Sequence, residues 1–186
     1  MASKIRSYYK NASGSGMLEF ALIVPLMLTL SFGAIEFTRV FSDRQKLSTL
    51  SANAADRAFR VCADSTTAGS CLDLHAADAG ASAALALPGA KITLSVYQRD
   101  PAGVVSQVGI RCVDSLYPNN VVSGCPSNYN ASSPALLRLI SATSAIGPNN
   151  PNVAIAEVSY VHRQITPMIP WISTFMPGQL YEATIY

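Results

Sequence analysis

The sequence predicts an α+β protein in which a long N-terminal transmembrane and spine helix carries a small head built on an antiparallel sheet. Apolar residues make up 49% of the chain and charged residues only 13%, against about a quarter charged in an average soluble domain. Sixteen residues without a charge separate Glu19 from Glu36. Further along, alternating apolar and polar residues interrupted by Gly, Pro and Asn are typical of short strands joined by turns.

Residues 1–14 form a short basic leader. They carry Lys4, Arg6 and Lys10 and no acidic residue. A helix that starts at Ser15 and continues through the uncharged stretch would extend roughly 30 Å, which matches the thickness of a bilayer core. A buried core helix is the alternative, but the basic flank and the lack of an amphipathic period favour a transmembrane segment.

Flanking charge does not decide the orientation of this segment, because Arg39, Arg44 and Lys46 nearly balance the leader. The four cysteines decide it instead. In the cytoplasm they would be free thiols, whereas outside it an even number of cysteines indicates two disulfides. We therefore expect a single-pass protein with a cytoplasmic N-terminus and with the chain from about residue 38 onward outside the cytoplasm. The cysteines are Cys62, Cys71, Cys112 and Cys125.

An ordinary secretory signal peptide is a second alternative, with small residues at Ser31, Gly33 and Ala34 where a signal peptidase could cleave. Glu19 argues against it, because a carboxylate inside an apolar segment is costly unless it is paired or protonated. We expect such a residue to have a specific role.

A short motif around Glu19 resembles the processing site of type IV prepilins, in which cleavage follows a glycine and a glutamate is the fifth residue of the mature chain. Cleavage after Gly14 would make Ser15 the first residue and Glu19 the fifth, followed by Phe20. The longer run is similar to the TadE/TadG-like minor pilins, or pseudopilins, of tight-adherence (Tad, Flp-type IVb/IVc) pili. The similarity covers about residues 10–60, and its features are Glu19-Phe20-Ala21, then Pro25-Leu26, then Gly33, Glu36 and Phe37.

This resemblance implies a pilin-like subunit that prepilin peptidase cleaves after Gly14 and that supports assembly or initiation of a Tad-type adhesive pilus. It implies as further partners other pilin or pseudopilin subunits, an inner-membrane assembly platform with its ATPase, and membrane lipid. It places the protein in the bacterial inner membrane with a periplasmic head. The new α-amino group of Ser15 would pair with Glu19 and so set the register of neighbouring helices, because pairing offsets the desolvation of both charges.

After the span, apolar residues recur at spacings of three and four, and neither Gly nor Pro interrupts them. We therefore expect one continuous helix over residues 15–61, whose second half packs against the head. Glu36 is expected to be solvated at the outer membrane interface or paired with Arg39. The apolar positions are Phe37, Val40, Phe41, Leu47, Leu50, Ala54, Ala58 and Val61.

The head, residues 62–186, is expected to contain two more helices and about four strands. The first helix covers about 72–87, and the second follows an N-cap at Ser133. Of the three possible cysteine connectivities, Cys62–Cys71 with Cys112–Cys125 is preferred because both pairs close short loops. The strands are expected near 92–97, 104–113, 153–165 and 179–186.

The sequence contains no catalytic, cofactor-binding or zinc motif. His75 and His162 are isolated from cysteines and carboxylates, and a lone histidine more often has a structural role than a catalytic one. The basic residues are scattered, which argues against nucleic-acid binding. We expect no enzymatic activity, no metal site and no cofactor.

Two questions stay open at this point. The apolar, Pro-punctuated segment 167–177 either contacts a neighbouring subunit or the membrane surface, or it folds back over the sheet. The chain could also be an uncleaved, membrane-anchored binding module whose loop 114–133 or 167–177 recognises a surface ligand.

Overall fold

The structure is a computed structural model that describes residues 13–62, 68–100, 102–144, 152–163 and 178–186. Residues 1–12 of the basic leader and the apolar segment 167–177 lie outside the described residues. The elements follow in the order α1 (Ser13–Cys62), α2 (Ala68–Ala86), β1 (Lys91–Arg99), β2 (Val105–Asp114), β3 (Val122–Ser123), α3 (Pro134–Ser144), β4 (Asn152–Val161) and β5 (Gln179–Ile185).

Helix α1 is continuous over 50 residues and contains Pro25. The hydroxyls in its apolar half donate to backbone carbonyls of the same helix: Thr29 to Leu26 and Ser31 to Met27, both at 2.8 Å. Such bonds satisfy hydroxyl groups that have no water to bind inside an apolar layer. The expected α+β architecture with a long N-terminal helix is confirmed.

The five strands form one antiparallel sheet in the order β3-β2-β1-β4-β5. The sequence predicted about four strands, and the additional one is the two-residue β3, which pairs with Arg111 and Cys112. The disulfide between Cys112 and Cys125 fixes this part of the loop beside β2. A strand of two residues is too short to show the alternation of apolar and polar side chains by which a sequence indicates a strand.

The contacts divide the chain into two compact units, and the boundary lies within α1 between Val40 and Phe41. The head unit begins at Phe41, extends to Arg163 and includes β5. The second half of α1 therefore belongs to the head unit by its contacts. The helix itself ends at Cys62.

In the head unit, α2 packs on the inner face of β1 and β2 through small and branched side chains that recur at helical spacing. This close approach requires Gly80, because a Cβ atom there would lie 2.8 Å from Val113 Cγ2 and 3.3 Å from Pro118 Cα. The buried residues of α2 are Leu72, Ala76, Ala79, Gly80 and Ala83.

The outer face of the sheet is covered by α3, and the cluster between them consists of Tyr97, Leu136, Ile140, Val153 and Ile155. Helix α3 begins after Ser133, which is the N-cap residue as the sequence indicated, and the Ser133 carbonyl accepts a bond from the Leu137 N–H at 3.0 Å. The Ser133 hydroxyl accepts a bond from the Asn130 N–H at 2.9 Å and so connects the preceding turn to the start of the helix.

Candidate functional site

The first half of α1 exposes its large apolar side chains. Met17 is 79% exposed, Leu22 75% and Phe20 69%. An 18-residue window of this helix has a mean hydropathy of 2.0, and none of it is buried. Within the described part of the chain, it is the one helix long and apolar enough to cross a membrane. An apolar surface of this extent is unfavourable in water, so the helix indicates a membrane anchor.

The residues of the expected processing site lie at the start of this helix. Gly14 and Ser15 belong to its first turn, since α1 begins at Ser13. Glu19 and Phe20 follow one turn later, and both side chains are exposed. Residues four apart are neighbours on a helix surface, so residue 15 and Glu19 lie on one face. This spacing would bring an α-amino group at residue 15 close to the Glu19 carboxylate.

The second acidic residue of the span, Glu36, is buried and only 1% exposed. The expectation that it is solvated was therefore wrong. That expectation treated the helix as an isolated rod, whereas Glu36 lies on the helical face that buries Val40 and Leu47, four and eleven residues further on. The position of Glu36 in the sequence therefore did not show which face of the helix is buried.

Two polar contacts connect the second half of α1 to the strands of the head. The Asp43 carboxylate lies 2.8 Å from Nδ1 of His162, which follows β4 and is only 5% exposed. The hydroxyls of Ser51 and Thr184 lie 2.7 Å apart. Sequence reasoning treated His162 as isolated, since its partner is 119 residues away and no local pattern could indicate the contact.

The structure joins Cys62 to Cys71 and Cys112 to Cys125, with Cα atoms 5.6 and 6.2 Å apart. This is the pairing that the sequence favoured. His75 lies beside the first disulfide, and its ring nitrogen and the two sulfurs are within 4.8 Å of one another. Because both sulfurs belong to a disulfide, they are not available as thiolate ligands to a metal.

Removing either disulfide is expected to destabilise the head. The loops closed are of 9 and 13 residues by sequence separation, for which chain entropy predicts a loss of about 3 kcal/mol each. The variants Cys62→Ser/Cys71→Ser and Cys112→Ser/Cys125→Ser can be compared with the wild type by denaturant unfolding of the detergent-solubilised protein. An unchanged free energy of unfolding in both variants would contradict a structural role for these bonds.

A buried carboxylate lies on the outer face of the sheet at Glu157, which is 5% exposed. It accepts hydrogen bonds from the Ser127 hydroxyl, from the Asn128 N–H at 3.0 Å and from the Tyr181 hydroxyl at 2.7 Å. These bonds fix loop 127–129 against β4 and β5. Burial raises the pKa of Tyr181 above its ordinary value, and the bond to Glu157 and its negative charge raise it further.

The raised pKa values of Tyr181 and Tyr97 predict that the head is less stable in alkali. Burial also raises the pKa of Tyr97, so the folded head keeps protons that the unfolded chain releases above about pH 10. The unfolded state then binds fewer protons than the folded one, and the free energy of unfolding falls as the pH rises past that value. Unfolding measured at about pH 9 and about pH 11 should show this decline, and it should be smaller in Tyr181→Phe than in the exposed-site control Tyr117→Phe.

The fold and the exposed helix together define a class, namely proteins anchored by one N-terminal apolar helix that carries an α+β head. Residues 14–56 match the family model of TadE, described as TadE-like protein. This segment is therefore similar to TadE-like proteins, as its residues predicted. The match covers most of α1 and none of the sheet. No curated protein and no solved structure matches the chain.

Proposed function

We propose that this protein is a minor pilin or pseudopilin that supports assembly or initiation of a Tad-type pilus after prepilin peptidase cleaves it between Gly14 and Ser15. One observation carries the proposal. The TadE-like segment is a helix that exposes its apolar side chains and places Glu19 one turn after Ser15. A pilin subunit requires this combination, because its helix is held first by lipid and then by other helices.

The exposed side chains allow this transfer. Lipid tails and neighbouring apolar helices offer similar surroundings, so moving the helix from the bilayer into a bundle costs little hydrophobic free energy. The orientation of the helix in the bundle, and its axial register against neighbouring helices, must then be set by polar groups. The Glu19 carboxylate pairs with the α-amino group of Ser15, within one subunit or between neighbours, because either charge alone would be costly in an apolar layer.

The proposed orientation follows from the head. Two disulfides in the head unit are typical of an oxidising compartment, so the head is periplasmic and the leader is in the cytoplasm. The protein is then a single-pass component of the bacterial inner membrane. Its partners are prepilin peptidase, other pilin subunits, and an assembly platform with a cytoplasmic ATPase.

Sequencing the N-terminus of the mature protein tests the processing step. Under the proposal, the mature chain begins at Ser15. A chain that begins at Met1 would be an uncleaved anchored module, and one that begins near Ala34 would be a product of signal peptidase. Either result would contradict the proposed function. The variant Gly14→Leu is the matched control, and it should retain the leader.

A further inference from the structure

The outer face of the head has a groove to which the proposed function gives no role. A cavity of about 400 Å³ and a second of about 140 Å³ have Lys91, Thr93, Pro126 and Ser159 in common as lining residues, so together they form one continuous groove. The larger cavity alone is within the range of roughly 300–1,000 Å³ that is usual for small-molecule sites. All of its lining residues belong to the head unit.

The floor of the groove is set by the register between β1 and β4. Lys91 is the cross-strand partner of Ser159, and Thr93 is the partner of Glu157. Cross-strand partners point to the same face of a sheet, so these four side chains form a compact polar block. The exposed ring of Tyr117 lines the larger cavity.

Three members of this block have unused hydrogen-bonding capacity. Among the residues that the structure describes, the side chains of Lys91, Thr93 and Ser159 have no hydrogen bond or ion pair with another residue. Thr93 and Ser159 are half-buried, and half-buried polar groups without protein partners favour a polar ligand or water. Glu157, by contrast, is held by three neutral donors. A carboxylate has about four acceptor positions, so capacity for another donor is left.

The combination of groups indicates the charge and chemistry of the ligand. The block offers the ammonium of Lys91, the hydroxyls of Thr93 and Ser159, which can donate or accept, and the fixed carboxylate of Glu157. The carboxylate of Asp114, the cross-strand partner of Lys91 on β2, also lines the groove. Lys91 would repel a cationic ligand, and Glu157 would repel an anionic one. A neutral ligand whose own hydroxyls both donate and accept satisfies all four groups, and a pyranose ring could also lie against the face of Tyr117.

We infer that this groove binds a neutral carbohydrate of one or two sugar rings. The inference concerns the head alone and does not depend on processing at Gly14. The purified full-length protein, in a zwitterionic detergent without a sugar headgroup, would be tested on an array of neutral and charged glycans. The best neutral glycan would then be titrated by calorimetry.

Wild-type protein is expected to retain neutral glycans on the array. Thr93→Val and Ser159→Ala should each weaken binding about tenfold, the effect of losing one hydrogen bond. Ser106→Ala on β2, at an exposed position outside the groove, is the control and should bind like the wild type. Lys91→Met provides a third variant at an exposed position in case either of the first two is less stable.

Three outcomes would overturn the inference. One is the absence of any neutral glycan retained by the wild type, and another is retention of charged glycans only. The third is unchanged affinity in Thr93→Val, Ser159→Ala and Lys91→Met, with melting temperatures equal to that of the wild type.

Discussion

Glu19→Ala is expected to abolish incorporation into pili while leaving the leader cleaved. The substitution leaves the α-amino group of Ser15 in an apolar layer without its partner. Removing one member of a buried charge pair costs about 3–5 kcal/mol, which corresponds to more than about a hundredfold in an assembly equilibrium. Shearing pili from cells that express the variant, and immunoblotting both the sheared and the membrane fractions, measures this effect.

The control for Glu19→Ala is Glu19→Asp, which keeps the charge but shortens its reach and should restore part of the assembly. Helix formation is not at risk in Glu19→Ala, since Glu19 is exposed and alanine is a strong helix former. Wild-type amounts of the protein in the sheared fraction of Glu19→Ala would refute the pairing, even with processing at Gly14 intact.

Gly80→Val should be the most damaging single substitution in the packing of α2. Its Cβ would lie 2.8 Å from a methyl of Val113 and 3.3 Å from the backbone of Pro118. The helix must then move away from the sheet, and overpacking of this kind costs about 1–3 kcal/mol. Thermal unfolding followed by circular dichroism should show a lower melting temperature.

The matched control for Gly80→Val is Ala81→Val, because Ala81 is the next residue of the same helix and is exposed. It introduces the same valine side chain without the contact with the sheet, and its cost in helix propensity is larger than that of Gly80→Val, because alanine is a better helix former than glycine. If both variants melt at the same temperature, the close approach of α2 to β2 is not what requires glycine at position 80.

The sequence predicted the features that depend on neighbouring residues. The uncharged stretch between Glu19 and Glu36 predicted the exposed apolar helix, and the three-and-four spacing after Phe37 predicted its continuation. Alternation of apolar and polar residues predicted β1. Each of these signals arises within a single element, where the period of side chains is fixed by backbone geometry.

The features that the sequence did not reveal all depend on contacts between distant segments. The Asp43–His162 contact joins a helix to the end of a strand, and the bonds of Glu157 join a loop and two strands. The burial of Glu36 was missed for a related reason, since an acidic residue at the end of an apolar segment does not indicate which face is covered. Contacts between distant segments leave no regular spacing in the sequence, so they become visible only in the folded structure.

The disulfide between Cys62 and Cys71 has a consequence for a subunit under mechanical tension. Without it, the segment between the two cysteines could be pulled out to roughly 30 Å, at about 3.3–3.6 Å per residue. The covalent bond holds the two Cα atoms 5.6 Å apart. A load applied along α1 would therefore pass directly to α2 and the sheet beneath it, and this connection would not lengthen as the load increases.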